Sequence, residues 1–114
     1  MWRMHTNASV TISSSGTSAT LALDGQTLTM EILNAPSGAQ FAQGQAIRLT
    51  GDPELPSGQV DQPNPGVTVV SISLPAGQYS LQVLFNPQWS GLKASDFVTP
   101  PSVALGSWSL TSHN

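Results

Sequence analysis

The sequence contains no cysteine and only three positively charged residues, Arg3, Arg48 and Lys93. Without cysteine the chain can form no disulfide bond, no thiolate nucleophile and no cysteine-ligated zinc site. The formal net charge is −3 at pH 7. A nucleic-acid phosphate backbone is bound by clustered Lys and Arg side chains, so we exclude nucleic acid as a partner.

Long hydrophobic runs are missing as well. No segment approaches the roughly 20 consecutive apolar residues that a membrane-spanning helix needs. The first five residues, Met1–His5, contain no apolar stretch of the kind found in signal peptides. We therefore expect no membrane-spanning segment and no membrane partner.

Charged residues make up only 8% of the chain, against roughly 25% in an average soluble domain. Ser, Thr, Gln and Asn take their place, and the chain also contains 10 Gly and 9 Pro. This composition is typical of short strands joined by many turns. Because 114 residues is the size of one domain, we predict a single all-β domain over residues 1–114.

Apolar and polar residues alternate in three successive segments of the first half of the chain. Asp24-Gly25 separates the second segment from the third, and this dipeptide favours a type I′ turn because both of its positions take positive φ. We predict a three-stranded antiparallel meander. Its inward-facing residues are Val10, Ile12, Ala19, Leu21, Leu23, Leu28, Met30 and Ile32.

Two further alternating segments, residues 67–74 and 79–85, lie in the second half, with Pro75-Ala76-Gly77 between them. We interpret them as a second hairpin, whose last strand ends at Asn86-Pro87. Shorter strands are predicted over residues 39–41, 46–49 and 103–110.

Two proline-rich segments, residues 50–66 and 88–102, are predicted to be long surface loops. About seven short strands, with turns roughly every 8–12 residues, favour an antiparallel β-sandwich. An open barrel is the alternative architecture.

Candidate catalytic and metal-binding groups are few. The two histidines, His5 and His113, lie at opposite ends of the chain, so neither a metal nor another cofactor is predicted. Asp52, Glu54 and Asp61 could hold Ca²⁺ in the 50–66 loop, but a solvated acidic loop is the preferred interpretation. No G-x-S-x-G motif and no suitable carboxylate pair is visible, so no catalytic residue is assigned.

The N-terminal segment Trp2-Arg3-Met4-His5-Thr6 is the strongest candidate for substrate binding. Trp2 offers a stacking surface for a pyranose ring, Arg3 can pair with a sugar carboxylate, and His5 adds a polar group. The same segment also fits an edge strand whose Trp and Met side chains cover the core, and this is the preferred interpretation.

Two other positions are candidates for contacts at the surface. Trp89, in the 88–102 loop, fits either a binding platform or a lid over one end of the sandwich. Asn7-Ala8-Ser9 is an N-glycosylation sequon. Asn7 is therefore a candidate glycosylation site, and a secreted, extracellular location is expected on this ground.

Several segments, in their order and spacing, resemble one known family. Trp2-Arg3-Met4-His5-Thr6 is followed by Asp24-Gly25-Gln26-Thr27-Leu28 and by Ile32-Leu33-Asn34-Ala35-Pro36-Ser37-Gly38-Ala39-Gln40-Phe41. This order is similar to the W-x-x-H-T, G-x-x-L and I-L-x-P-x-G-A-x-F segments in the C-terminal β-sandwich of heparinase II/III-type polysaccharide lyases, the fungal ones especially. An extra Ala35 precedes Pro36 here. Gln62–Val67 and Leu84–Pro87 look like the family's tail, so the resemblance covers most of the chain.

The resemblance implies a larger enzyme, in which an (α/α) toroid carries most of the catalytic groups and β-sandwich layers follow. Such enzymes cleave uronic-acid polysaccharides by β-elimination. None of the family's catalytic motifs matches a position in this chain. Residues 1–114 would then be a non-catalytic C-terminal piece, which packs on the toroid and shapes the cleft for an acidic polysaccharide.

The alternative is a free-standing secreted module that binds carbohydrate or protein. A layer of a larger enzyme should expose a contiguous apolar patch toward its neighbour. The alternating pattern leaves Trp2, Met4, Val67 and Val69 off the main core face. These four residues are therefore the predicted packing surface.

Overall fold

Seven strands and two short 3-10 turns make up the regular structure of the residues that the structure describes. The structure is a computed structural model that describes residues 1–88, 90–92, 94–96, 98, 101 and 103–107. The strands are β1 (Trp2–Thr6), β2 (Ser9–Ile12), β3 (Ser18–Leu23), β4 (Gln26–Asn34), β5 (Phe41–Gln45), β6 (Thr68–Ile72) and β7 (Gln82–Gln88). The 3-10 turns are Ala94–Asp96 and Leu105–Ser107.

The strands form two antiparallel sheets. One sheet has the order β1-β6-β5 and the other the order β2-β3-β4-β7. The Trp2 ring of the first sheet lies 6.3 Å from the Phe85 ring of the second, measured between centroids. The predicted antiparallel β-sandwich is confirmed, and within the described residues neither sheet closes into a barrel.

The core lies between the two sheets and is centred on their inner strands. Met30 on β4, and Val70 and Ile72 on β6, are the largest side chains that are almost completely enclosed. Around them lies a ring of partly buried residues: Trp2, Met4, Val10, Ile12, Leu28, Ile32, Ala35, Leu74, Leu81 and Val83. Strands at the centre of a sheet have neighbours on both sides, so their inward-facing residues are shielded most completely.

The β2-β3-β4 meander is confirmed, including its turn. Leu23 pairs with Gln26, and the two residues between them have φ values of 50° at Asp24 and 75° at Gly25, as a type I′ turn requires. Met30 and Leu21 are buried as expected. Leu23 differs from the prediction, since it is 50% exposed as the last residue before the turn.

The predicted hairpin between residues 67–74 and 79–85 is wrong. Strand β6 pairs with β1 and β5, whereas β7 pairs with β4 in the opposite sheet. Residues 73–81 therefore connect the two sheets instead of reversing the chain within one. No residue of this connection has a positive φ, so the backbone geometry of a tight two-residue hairpin turn is absent.

Three other strand boundaries differ from the predictions. β5 begins at the end of the first predicted piece, 39–41, and runs through Gly44, whereas the second predicted piece, 46–49, is not a strand and belongs to the loop that follows. Pro87 lies inside β7 and not at its end; proline is tolerated there because β7 is the outer strand of its sheet and that side needs no donor. Residues 103–107 contain a 3-10 turn and no strand, and residues 108–110 of the predicted last strand lie outside the described residues.

The four residues predicted to form an exposed apolar face do not form one. Val69 is only 6% exposed. Trp2 and Met4 pack against the inter-sheet core, and Val67 is half-buried. Trp2 and Met4 instead point inward from an outer strand, which confirms the preferred interpretation of this segment as an edge strand whose Trp and Met side chains cover the core.

Candidate functional site

Residues 46–64 form a loop whose two ends are held together. The side-chain amide of Asn64 donates a hydrogen bond to the carbonyl oxygen of Ala46 over 3.1 Å. Next to this closure, the Val67 N–H donates to the Asn64 carbonyl oxygen over 3.2 Å and leads the chain into β6. A loop closed at its neck in this way resembles an Ω-loop, which packs as a unit on a protein surface.

Hydrogen bonds within the 46–64 loop fix its first half. The Leu49 N–H donates to Asp52 Oδ2 over 2.6 Å, and the Asp52 N–H donates back to the Leu49 carbonyl oxygen over 3.1 Å. The Arg48 guanidinium donates to the carbonyl oxygens of Asp52 and Pro53. Its Nε lies 3.9 Å from Asp61 Oδ2, which links the two arms of the loop.

The 46–64 loop and strand β1 enclose an open cleft of about 430 Å³. We call it the loop cleft. Its polar lining consists of Arg3 and His5 from β1 and of Arg48, Asp52, Asp61, Gln62 and Asn64 from the loop. Two of the three cations of the whole chain thus lie in one cleft, together with a histidine.

Strand register explains why Arg3 and His5 face this cleft. They lie opposite Ser71 and Val69 of β6, on the outer face of the three-stranded sheet. Val69 is buried but does not belong to the inter-sheet core. Since the 46–64 loop lines the same cleft, we attribute the burial of Val69 to this loop, which covers part of the outer face.

The two arginines of the loop cleft differ in their partners. Arg48 is engaged by loop carbonyl oxygens and by Asp61. Arg3 is half-buried, and neither Arg3 nor His5 makes a side-chain hydrogen bond or an ion pair within the part of the chain that the structure describes. The Arg3 guanidinium is therefore the group of the cleft with most donors left for an anionic ligand.

Trp2 lies on the other side of the sheet from Arg3 and His5. Successive residues of a strand point to opposite faces, and the Trp2 ring lies 6.3 Å from both Phe41 and Phe85 between the sheets. The structure thus brings two of the three predicted substrate-binding residues together. It does not bring the indole to them, so Trp2 offers no stacking surface in the loop cleft.

Asn7 lies in the short connection between β1 and β2 and is exposed. The Thr6 hydroxyl accepts a hydrogen bond from the Ala8 N–H over 3.0 Å, which shapes this turn. The Asn7 side chain is therefore accessible to a glycan. Trp89 and His113, the other positions considered from the sequence, lie outside the described residues.

The acidic residues of the 46–64 loop do not form a metal centre. Asp52 accepts the Leu49 N–H and Asp61 lies beside Arg48, while Glu54 is exposed and is not part of the cleft lining. Across the described part of the chain, no three His, Asp or Glu side chains lie close enough together to hold a metal ion.

A second surface feature lies along the outer strand β7. Leu33, which is 37% exposed, and Phe85, which is 43% exposed, line a shallow groove of about 320 Å³ together with Leu81, Gln82, Val83, Leu84 and Pro101. We call it the β7 groove. The register between β4 and β7 shifts between Ile32 and Asn34, and a bulge of this kind redirects the side chain at its centre, Leu33.

Sequence reasoning missed the contributions of Arg48 and Asn64. Arg48 is an isolated cation in a chain with few charges, and that isolation is the one signal that could have drawn attention to it. Asn64 stands between Pro63 and Pro65, a context that indicated only a turn. Neither pattern predicts that these side chains fold back toward β1.

Comparison of the sequence with models of known protein families and with characterised proteins finds no match. Within the described residues, no helix is both long and apolar enough to span a membrane. The candidate sites therefore rest on the residues and geometry of this chain alone.

Proposed function

We propose that the chain is the non-catalytic C-terminal β-sandwich of a heparinase II/III-like polysaccharide lyase and packs on the catalytic toroid of that enzyme. The proposal starts from the order of the segments at Trp2–Thr6, Asp24–Leu28 and Ile32–Phe41, which resembles that family. The all-β fold agrees with such a terminal sandwich. In this role the chain supplies surface and not catalytic groups.

The observation that carries the proposal is the β7 groove. Leu33, at the bulge near the end of β4, and Phe85, on the neighbouring outer strand β7, both expose large apolar side chains to this groove. Contiguous apolar surface of this kind is a frequent mark of a protein–protein contact. Phe85 also contacts Trp2 between the sheets, so a partner seated in the β7 groove would extend the inter-sheet core. We assign the groove to the toroid.

Reading the genomic sequence upstream of the codon for Met1, in all frames, tests this assignment. An in-frame coding sequence for an α-helical toroid with lyase motifs is the expected result. The matched biochemical test is to co-express that toroid with this chain and to replace Phe85 by Ser. Loss of co-purification for F85S, with retention for the exposed control substitution Val60→Ser, is expected. A signal peptide and promoter in place of the toroid would overturn the proposal.

A second candidate, a free-standing secreted module that binds carbohydrate, is favoured by the loop cleft. Its size of about 430 Å³ lies in the usual range of ligand sites, roughly 300–1,000 Å³. The exposed sequon residue Asn7 agrees with secretion. The same upstream reading separates the two candidates, since a signal peptide supports this one.

A further inference from the structure

The structure points to the loop cleft as a binding site for a hydroxylated carboxylate, such as a single uronic acid residue. We infer that Arg3 pairs with the carboxylate and that loop side chains bind the hydroxyl groups. The choice of a sugar acid among such ligands rests on the proposed function. The assignment of Arg3, His5 and Arg48 to one site rests on geometry alone.

Positively charged side chains are concentrated in the loop cleft. Two arginines and one histidine converge on a cleft in a chain with only three Lys and Arg residues. A planar guanidinium forms two parallel hydrogen bonds with a carboxylate. Arg3 is suited to this role because it is half-buried on a strand, and within the described residues it has no competing acceptor.

The lining of the loop cleft also contains hydrogen-bond acceptors, which face the cationic groups of β1. Asp52 and Asp61 present carboxylate oxygens and Asn64 presents its amide oxygen opposite the cation-bearing strand, while the Asn64 NH2 group donates to the Ala46 and Gln62 carbonyl oxygens. A simple inorganic anion has no hydroxyl groups to donate hydrogen bonds to the two Asp carboxylates. A ligand with one carboxylate and several hydroxyl groups satisfies both halves, because its hydroxyl groups donate to Asp oxygens while its carboxylate accepts from Arg3.

A substitution at Asp61 should increase the affinity of the loop cleft for the ligand. Its carboxylate lies 3.9 Å from the Arg48 Nε, and both side chains are partly exposed at 31% and 55%. This pair competes with any anion for Arg48. Replacing Asp61 by Asn keeps the size of the side chain, removes the competing charge and leaves Arg48 available to the ligand.

The experiment is a titration of the full chain with sodium glucuronate, followed by amide chemical shifts in two-dimensional nuclear magnetic resonance spectra. Shifts confined to β1 and the 46–64 loop are expected, with much smaller shifts for glucose and acetate. Arg3→Gln should weaken binding by about tenfold, as loss of a charge-assisted pair implies. Asp61→Asn should tighten binding, by roughly twofold to fivefold.

Thr20→Asp is the matched control, because it lowers the net charge by one as Arg3→Gln does, at an exposed position of the other sheet. If Thr20→Asp and Arg3→Gln weakened glucuronate binding equally, the net charge of the chain would explain the loss. That result would overturn the assignment of the site. Equal binding of acetate would overturn recognition of the hydroxyl groups. If Arg3→Gln loses amide dispersion, Arg48→Gln replaces it. None of these measurements involves the toroid, so failure here leaves the β7 groove proposal unaffected, and the reverse also holds.

Discussion

The β3-β4 segment and the β6-β7 segment have similar alternating sequences but different topologies. In the first, Asp24 and Gly25 adopt positive φ and the chain returns beside itself. In the second, residues 73–81 carry the chain from one sheet to the other, and β7 pairs with β4. Alternation therefore determines which side chains face the core, whereas the connection determines which strand becomes the neighbour.

The different connections have a physical cause. A two-residue turn with positive φ matches the right-handed twist of two paired strands. The 73–81 connection is longer and contains Pro75, which fixes φ near −65°. Its length lets β7 reach the open side of β4, where seven residues of β4 pair with β7. Pairing there satisfies more backbone groups than a hairpin with the five-residue β6.

The largest expected effect is an all-or-none difference in disulfide cross-linking between the two segments. The chain has no cysteine, so engineered pairs report cleanly. Thr29→Cys with Asn86→Cys should form a disulfide, because directly paired strand residues have Cα atoms about 4.5–5.5 Å apart. Asn86 Oδ1 is also buried without a partner among the described residues, so its loss should be tolerated.

Ser71→Cys with Leu81→Cys is the contrasting pair, since a hairpin centred on Ala76 would place these residues opposite each other. In the sandwich Ser71 lies in β6 of one sheet, whereas Leu81 directly precedes β7 of the other sheet. Packed sheets lie about 10 Å apart, beyond disulfide reach. Intact-mass measurement counts the hydrogens lost on oxidation. Cross-linking of Ser71 and Leu81, but not of the first pair, would show that β6 and β7 form the hairpin.

A smaller effect is expected from alanine at the two turn glycines. Gly25→Ala should lower the free energy of unfolding by about 1–2 kcal/mol, because an L-residue is strained at positive φ. Gly77→Ala should change it by less than about 0.5 kcal/mol. The new Cβ would meet the Tyr79 hydroxyl at 2.8 Å, but that ring is 42% exposed and can move aside. Thermal unfolding followed by circular dichroism measures the stability of both variants. Equal losses of stability would contradict the difference between a positive-φ turn at Gly25 and an ordinary connection at Gly77.

Much of the fold could be predicted from the sequence, because local patterns carry it. The period-two alternation identifies Leu21, Met30 and Ile72 as inward-facing, and Asp24-Gly25 specifies its turn. Pairing across long separations could not be predicted in the same way. The partners of β6 are β1 and β5, and nothing local in Thr68–Ile72 distinguishes these from β7.

Only the β1 part of the candidate site could be predicted from the sequence. Arg3 and His5 are two residues apart on one strand, so their shared face follows from strand geometry. Arg48 reaches the same cleft from more than forty positions away, through a loop closed by Asn64 and Ala46. Loop closure depends on side-chain to backbone hydrogen bonds that no periodicity reveals.

A still smaller effect should distinguish the neck of the 46–64 loop from its tip. Asn64→Ala should lower the free energy of unfolding by about 0.5–1.5 kcal/mol, since it removes the hydrogen bond to the Ala46 carbonyl oxygen. Ser57→Ala, at an exposed position of the same loop, should stay within about 0.5 kcal/mol. Chemical denaturation resolves the difference. Equal small changes would indicate that the loop is held to the sheet by other contacts.

The last expected effect is zero: the isolated chain should not degrade any uronic-acid polysaccharide. β-Elimination needs a base within about 3 Å of the C5 proton and a group that neutralises the carboxylate, in a site that excludes water. Arg3 could neutralise a carboxylate and His5 could accept a proton. His5 is exposed, however, and the loop cleft is open to solvent, so the two groups bind a ligand more readily than they activate one.

The measurement is ultraviolet absorbance of the unsaturated product after incubation with heparan sulfate, hyaluronan, alginate or polyglucuronate. No rise is expected for the wild-type chain or for His5→Ala. A rise that disappears in His5→Ala would make Arg3 and His5 a catalytic pair and contradict the non-catalytic role. A rise that persists in the variant would place the activity in other groups or in a contaminant, which a preparation from cells lacking the chain would identify. Binding of glucuronate without any rise is the combination that the open loop cleft predicts, because it supplies the charge for recognition but not the enclosed site needed for proton abstraction.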